Sequence, residues 1–465
     1  MNFPLLILLA VPFLAAPVIY PLRRTPLAAP FAAAVALALV GFLWIVPWPL
    51  ATTRPDQATL GAPLVLLGRS VRLTETDRWA LSTLWGCAAL MFLAAWPFRF
   101  ERRLYPIGLA AGGLWTIGLL LRPISLGTFF IGSAALLLAL TLLGEGHGME
   151  GATQYLIAAS LGFLAWVTAA WAAEQTTLNP GQPLWTTLTI MLIEIALILW
   201  LGVWPAYRWV LLLFAEGAPV GAAFTVFLLN YGTWFWLLAW AQEFPWLPQL
   251  PEWSAGLQAM GILMMLSSAV LALAERGWGI IGGYAWLASS GLSWLALGLG
   301  TVEGIHLSAW TLWIRIAALV GLAFGLAAHR RMSGSTESGR VPLDRGPWVI
   351  ALLLGSGMAL IDVPPFPGFT ARWALTRLLL PSHPFLSLAW IGGAGLLGWA
   401  LLRELLRPQG ETLPLRPMPR SAVWFGIAWW TAELLLLLTS PWLSLPLRSL
   451  ANAWIQPVSY THLRA

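Results

Sequence analysis

Lysine is absent from this chain: all 25 residues counted as Lys+Arg are arginine. A guanidinium holds its charge at any pH a protein tolerates, so its basic side chains can fix charge and order water but are poor proton carriers. Cysteine is reduced to Cys87, inside an apolar run, which excludes a disulfide framework and a cysteine metal cluster. Charge of either sign is scarce, at 9% of 465 residues, where a soluble domain has about a quarter. With 59% hydrophobic residues and a mean hydropathy of +0.78, the composition excludes a soluble globule and implies an all-α polytopic protein of the lipid bilayer. No Gly-rich phosphate loop, nucleophile elbow or haem-type histidine pair is present, and no cofactor is expected. The loop Gly144–Glu150 holds His147 and two carboxylates, but so glycine-rich a segment is a poor metal cage.

What the chain has in excess is Trp (31) and Pro (34), the first a residue of bilayer interfaces and the second tolerated in membrane helices. The net charge of +6 does not imply nucleic acid, because the arginines are scattered through short loops between apolar runs. Runs of about 20 residues, long enough to cross a bilayer, begin near Phe3, Pro26, Trp79, Leu104, Ser125, Gly151, Trp185, Pro219, Trp253, Trp278, Ile305, Pro347, Pro384 and Ser421. About fourteen transmembrane helices follow. The loops after odd-numbered helices carry most arginines, among them Arg23, Arg24, Arg102, Arg103, Arg276, Arg330, Arg331 and Arg403. The positive-inside rule makes those loops cytoplasmic and the N-terminus external. The arginine-bearing loop Ala51–Arg78 is the exception, and its alternation PLVLLGRSVRLTETDR predicts a small β-hairpin. Residues 456–465 differ in composition from the rest and are read as a non-native tail on a single membrane domain of residues 1–455.

Two runs are interrupted. Leu199 to Phe224 is broken at Pro205 and restarts after Glu216-Gly217-Ala218-Pro219, and a second break falls at Asp362-Val363-Pro364-Pro365-Phe366-Pro367-Gly368. Broken backbone at membrane depth persists only where protein buries it or a wet cavity faces it, and a pair of discontinuous helices points to a transport site. Packing kinks are the alternative reading.

These stretches resemble a family. Trp204-Pro205-Ala206-Tyr207-Arg208-Trp209 with Glu216-Gly217-Ala218-Pro219-Val220 is similar to the P-F-H-x-W … E-G-A-P-x-P-V run of the antiporter-like subunits of respiratory complex I and of Mrp-type cation/proton antiporters. Ala272–Gly291 resembles A-L-x-x-x-x-x-K-R-x-x-A-Y-S-S-x-x-x-x-G, and Thr153–Gly162 the family's K-Y-F-x-x-G run. Asp362–Trp373, DVPPFPGFTARW, resembles G-I-P-P-x-x-G-F-x-x-K-[FWY], the most specific of the set. Together they cover about residues 104–407. The resemblance implies two inverted repeats with the seventh and twelfth helices discontinuous, and other membrane subunits of a respiratory or hydrogenase-like complex as partners, with quinone in that complex and no redox chemistry in this chain.

The departures fall on the family's proton relay. Its fifth-helix glutamate corresponds to Ala134, its seventh-helix lysine to Trp200, its eighth-helix lysine to Leu229 or Asn230, and its Lys-Arg pair to Gly279-Ile280. Its two histidines correspond to Tyr207 and Ser289, and only the twelfth-helix basic position survives, as Arg372. The implied function is therefore a subunit of a proton- or cation-translocating NADH-quinone oxidoreductase-like complex with a degenerate path. A freestanding cation/proton antiporter and a membrane-embedded glycosyl or lipid transferase are the alternatives. A charge at the bilayer centre costs roughly 2.5–3.5 kcal/mol on insertion scales, so Glu194, Arg315, Asp362, Arg372 and Glu433 are ion-path candidates, with Tyr207, Asn230 and Tyr284 beside them and Pro205, Pro364 and Pro365 as helix breaks. The competing reading pairs Arg315 or Arg372 with Glu194, Asp362 or Glu433 in a salt bridge that only fixes packing. Glu303 and His306, three residues apart, are expected to cap a helix start.

Overall fold

Without water to satisfy them, backbone polar groups in lipid must pair within the segment, and the chain answers with helices. The computed structural model describes residues 3–48, 50–54, 57–66, 68–98, 101–142, 149–179, 181–333, 346–381, 383–406 and 422–438. Among these lie α1 (Phe3–Leu22), α2 (Ala28–Ile45), α3 (Glu75–Ala95), α4 (Leu104–Leu120), α5 (Ile124–Leu142), α6 (Glu150–Leu178), α7 (Pro183–Leu201) and α8 (Arg208–Glu216). They continue as α9 (Pro219–Glu243), α10 (Pro251–Leu271), α11 (Trp278–Gly298), α12 (Val302–Ser333), α13 (Pro347–Leu360), α14 (Gly368–Leu379), α15 (Pro384–Leu406) and α16 (Ala422–Leu438).

Eleven described helices are long and apolar enough to cross a membrane, and α4, α13 and α16 are shorter apolar ones. With α8 and α14 counted as continuations across a break, this is the expected set of spans of an all-α polytopic membrane protein. The breaks fall where the prolines stand: α7 ends at Leu201 and α8 begins at Arg208, with Pro205 between, while α13 ends at Leu360 and α14 begins at Gly368, with Pro364 and Pro365 between.

The expected hairpin is present as β3 (Leu64–Leu66) antiparallel to β4 (Arg69–Val71), extended by β5 (Leu121–Arg122). A second hairpin, β1 (Leu50–Arg54) with β2 (Gln57–Leu60), was not anticipated. Helix α3 starts four residues before the expected Trp79 because Thr74 and Asp77 form a reciprocal capping box, with Thr74 N donating to Asp77 Oδ2 at 2.9 Å and Asp77 N to Thr74 Oγ1 at 3.2 Å. At the start of α12 the Thr301 hydroxyl accepts from Gly304 N at 3.0 Å, with Glu303 in the first turn and His306 buried within the helix. The Gly144–Glu150 loop, residues 334–345 and the tail 456–465 lie, wholly or in the first case mostly, outside the described residues.

The chain groups into two units. The first is Met1–Gly144, Thr153–Leu201 and Phe224–Gln249; the second is Glu145–Ala152, Gly202–Ala223 and Leu250–Ala465.

Candidate functional site

In the second unit the buried charges converge. Arg315 of α12 donates from Nη2 to Asp362 Oδ2 at 3.1 Å and from Nη1 to the Ser293 hydroxyl of α11 at 2.7 Å. Ser293 is held in turn, its hydroxyl 2.7 Å from that of Thr311 and its carbonyl accepting from Ser308 at 2.7 Å. Arg372 of α14 lies with Nη2 3.8 Å from the same Asp362 oxygen, donates from Nη1 to the Trp390 carbonyl of α15 at 3.2 Å, and sits 5.1 Å from the Trp390 ring. Side-chain exposure is 2% for Arg315, 1% for Asp362 and 5% for Arg372. Water screens none of these contacts, and each guanidinium depends on its carboxylate. Among the described residues the Nε groups of both arginines have no hydrogen-bond acceptor, and Glu433 of α16 is buried with neither carboxylate oxygen hydrogen-bonded.

Asp362 reaches this position because of two backbone features. It is the single non-glycine with positive φ (55°) among the described residues, a conformation that Asp and Asn tolerate better than other side chains. In the motif that DVPPFPGFTARW resembles, this position is glycine and the Arg372 position is lysine. The chain has therefore put a carboxylate at the left-handed residue and a permanent cation ten residues on, so that the second charge meets a counter-ion supplied by the same break. Gly368, the first residue of α14, allows the approach: a Cβ there would lie 1.8 Å from Asp362 Oδ1. The carboxylate thus sits at the positive end of α14's dipole as well as between two guanidinium groups.

The first unit is different at each position where the family motifs place a titrating group. Trp200 of α7 is buried, donates from Nε1 to the Ala159 carbonyl of α6 at 3.2 Å, and has its ring 6.3 Å from Trp115 (α4) and 6.1 Å from Trp166 (α6). Trp166 continues to Trp240 of α9 at 5.4 Å, and Trp240 to Trp236 at 6.4 Å. All five indoles are fully buried. Glycines make room for them: a Cβ on Gly162 would be 2.2 Å from Trp200, and one on Gly232 2.2 Å from Trp115. Ala134 is buried and apolar, and Asn230 is buried with Oδ1 lacking a hydrogen-bond partner among the described residues. Glu194 is half-buried on α7 and forms no ion pair among the described residues, so the packing salt bridge falls to Asp362.

Tyr207 and Tyr284, in the second unit, pack with ring centroids 6.0 Å apart. Gly279, where the motif has lysine, has no space for a side chain, since a Cβ would meet the Phe214 carbonyl at 2.4 Å. A cation reaches those carbonyls from elsewhere. Arg330, at the end of α12, donates from Nη2 to Phe214 O and Ala215 O at 2.6 Å each and from Nη1 to Gly217 O, capping the C-terminus of α8. Sequence reading assigned Arg330 to topology alone; no local pattern signals a contact across more than a hundred residues.

No protein-family model matches the sequence, and no curated protein matches it. Solved structures do match in fold. A chain of the Mrp complex from Dietzia sp. DQ12-45-1b superposes with a TM-score of 0.75 at 14% identity, covering 99% of this chain and 99% of that one. A chain of respiratory complex I from Thermus thermophilus with bound NADH gives 0.75 at 19% identity, covering 97% and 98%. A chain of the membrane-bound sulfane sulfur reductase, an archaeal respiratory membrane complex, gives 0.73 at 15% identity, covering 92% of this chain and 74% of that one. The chain therefore has the antiporter-like subunit fold found in these membrane complexes.

Proposed function

We propose that this chain is a membrane subunit of a respiratory-type, proton- or cation-translocating complex, and that its translocating route runs through the second unit alone. The observation that carries the reading is the contrast between the units: five packed indoles in the first, one of them Trp200 where the motif places lysine, against the Arg315–Asp362–Arg372 cluster with its serine and threonine neighbours in the second. Hydrocarbon-filled positions offer a hopping proton no acceptor, whereas buried hydroxyls and charges hold water. Glu194, Asn230 and the other first-unit positions lie outside that route. The fold likeness spans nearly the whole of the Mrp and complex I chains, which supports membership in an assembly with other membrane subunits; quinone, where it is used, belongs to such an assembly and not to this chain. The arginine-rich ends of α12 and α15 mark the cytoplasmic face, with the N-terminus outside a bacterial cytoplasmic membrane.

The test is gentle extraction of the tagged chain from its native membrane and identification of what co-purifies. Stoichiometric recovery of further membrane subunits bearing the same antiporter-like motifs supports the reading. Recovery of the chain alone, at full yield and monodisperse, contradicts it.

A further inference from the structure

Helix α16 brings Glu433 to the charge cluster. Trp429 Nε1 donates to the Ala317 carbonyl of α12 at 2.7 Å, its indole fills the space over Gly321, and Phe425 stacks on Phe324 with centroids 4.2 Å apart. The pairing is antiparallel, 425 with 324 and 429 with 317 and 321, so one further turn of α16 sets Glu433 at the height of Arg315. Glu433 is 3% exposed, has neither carboxylate oxygen hydrogen-bonded among the described residues, and interacts electrostatically with Asp362.

Among the described residues, Asp362 from the break interacts with it electrostatically, and Arg315 of α12 and Arg372 of α14 flank that carboxylate; α13 and the rest of α16 contribute no titratable residue. The other charged groups of α12 are distant: Glu303 and His306 stand about 13 Å or more along the helix from Arg315, and His329, Arg330 and Arg331 about 21 Å or more. Arg377, over a turn beyond Arg372, ends α14.

Within this cluster the guanidinium groups are poor proton carriers, and Asp362 serves as counter-ion to both. Glu433 alone can change charge without breaking an ion pair. We propose that Glu433 is the proton-exchanging group of the second unit. A proton from water bonds to one carboxylate oxygen, cancels its negative charge and takes the cluster from neutral to a net +1; release to water reverses both. In the ionised state the two orphaned arginine Nε donors supply positions for the carboxylate to approach. Its use in transport rests on the function proposed above; the exchange itself does not.

Infrared difference spectroscopy of the purified full-length chain, titrated with pH in H2O and D2O, reads the carbonyl stretch of a protonated carboxyl directly. The expected result is a titrating band that shifts in D2O, is missing from Glu433→Gln and returns, displaced, in Glu433→Asp, with both variants as monodisperse and thermally stable as the parent. A band unchanged in Glu433→Gln, or no titrating carboxyl band in the parent, overturns the proposal. Proton flux into proteoliposomes separates the two claims. A titrating Glu433 in a protein that carries no flux leaves the exchange standing and removes the translocation reading; flux and band both surviving Glu433→Gln do the reverse.

Discussion

Asp362→Asn removes one negative charge from between two buried guanidinium groups while leaving shape and backbone nearly unchanged, because asparagine tolerates the φ of 55° that Asp362 adopts. Deleting one partner of a buried ion pair costs roughly 3–5 kcal/mol, most of it the penalty of leaving a charge uncompensated. Exposures of 1% and 2% at the shorter contact mean that solvent recovers little of this, and the loss of Arg372's partner at 3.8 Å adds to it. The upper end of the range is expected, read as a marked fall in the midpoint of unfolding in detergent by heat or SDS. Asp362→Gly is the control for backbone strain: glycine is at ease at this φ, so if strain relief dominated, this variant would match or exceed the parent. The expectation is that both variants fall together. The cycle with Arg315→Met is expected to show the double variant Arg315→Met/Asp362→Asn less destabilised than the sum of its singles. An Asp362→Asn protein as stable as the parent, or strict additivity in the cycle, refutes the claim that this pair is a desolvated, mutually dependent unit.

Four other substitutions test contacts described above. Gly368→Ala places a methyl 1.8 Å from Asp362 Oδ1 and is expected to displace the carboxylate, giving a loss of stability comparable to Asp362→Asn in the same unfolding assay. In the first unit, Trp200→Ala opens a large cavity and is expected to cost roughly 3–5 kcal/mol, whereas Gly162→Ala, which drives a methyl to 2.2 Å from Trp200, overpacks the cluster at about 1–3 kcal/mol; intrinsic Trp fluorescence and the unfolding midpoint report both. Arg330→Met leaves the carbonyls of Phe214, Ala215 and Gly217 without their donor, a loss of about 2 kcal/mol for charge-assisted hydrogen bonds, visible as faster amide exchange confined to the end of α8.

Much of the architecture was legible because hydrocarbon length and backbone satisfaction constrain a membrane chain so tightly. Every described span begins within four residues of its expected start, and both interruptions fall at their prolines, although proline alone does not decide a break, since α1 continues through Pro12, Pro17 and Pro21. The motif resemblance located Arg372 and Asp362 by position. It could not show that they form a unit, since the pairing of Arg315 with Asp362 joins residues 47 apart through the αL residue of a break. The indole cluster was equally hidden: Trp115, Trp166, Trp200, Trp236 and Trp240 lie on four helices with no common period, and Trp200 read alone was only an absent lysine. The Thr301 cap was missed because Glu303 drew attention to charge, where the helix start used a hydroxyl.

The central claim is that one unit is closed and the other open, and ion flux into proteoliposomes holding the complex as purified tests it most directly. Three versions are compared: the parent, Glu194→Gln in the first unit and Arg315→Met in the second, each checked for intact assembly. The account predicts voltage-driven proton or sodium uptake by the parent that Glu194→Gln leaves within error and Arg315→Met abolishes; uptake abolished by Glu194→Gln and untouched by Arg315→Met would contradict it.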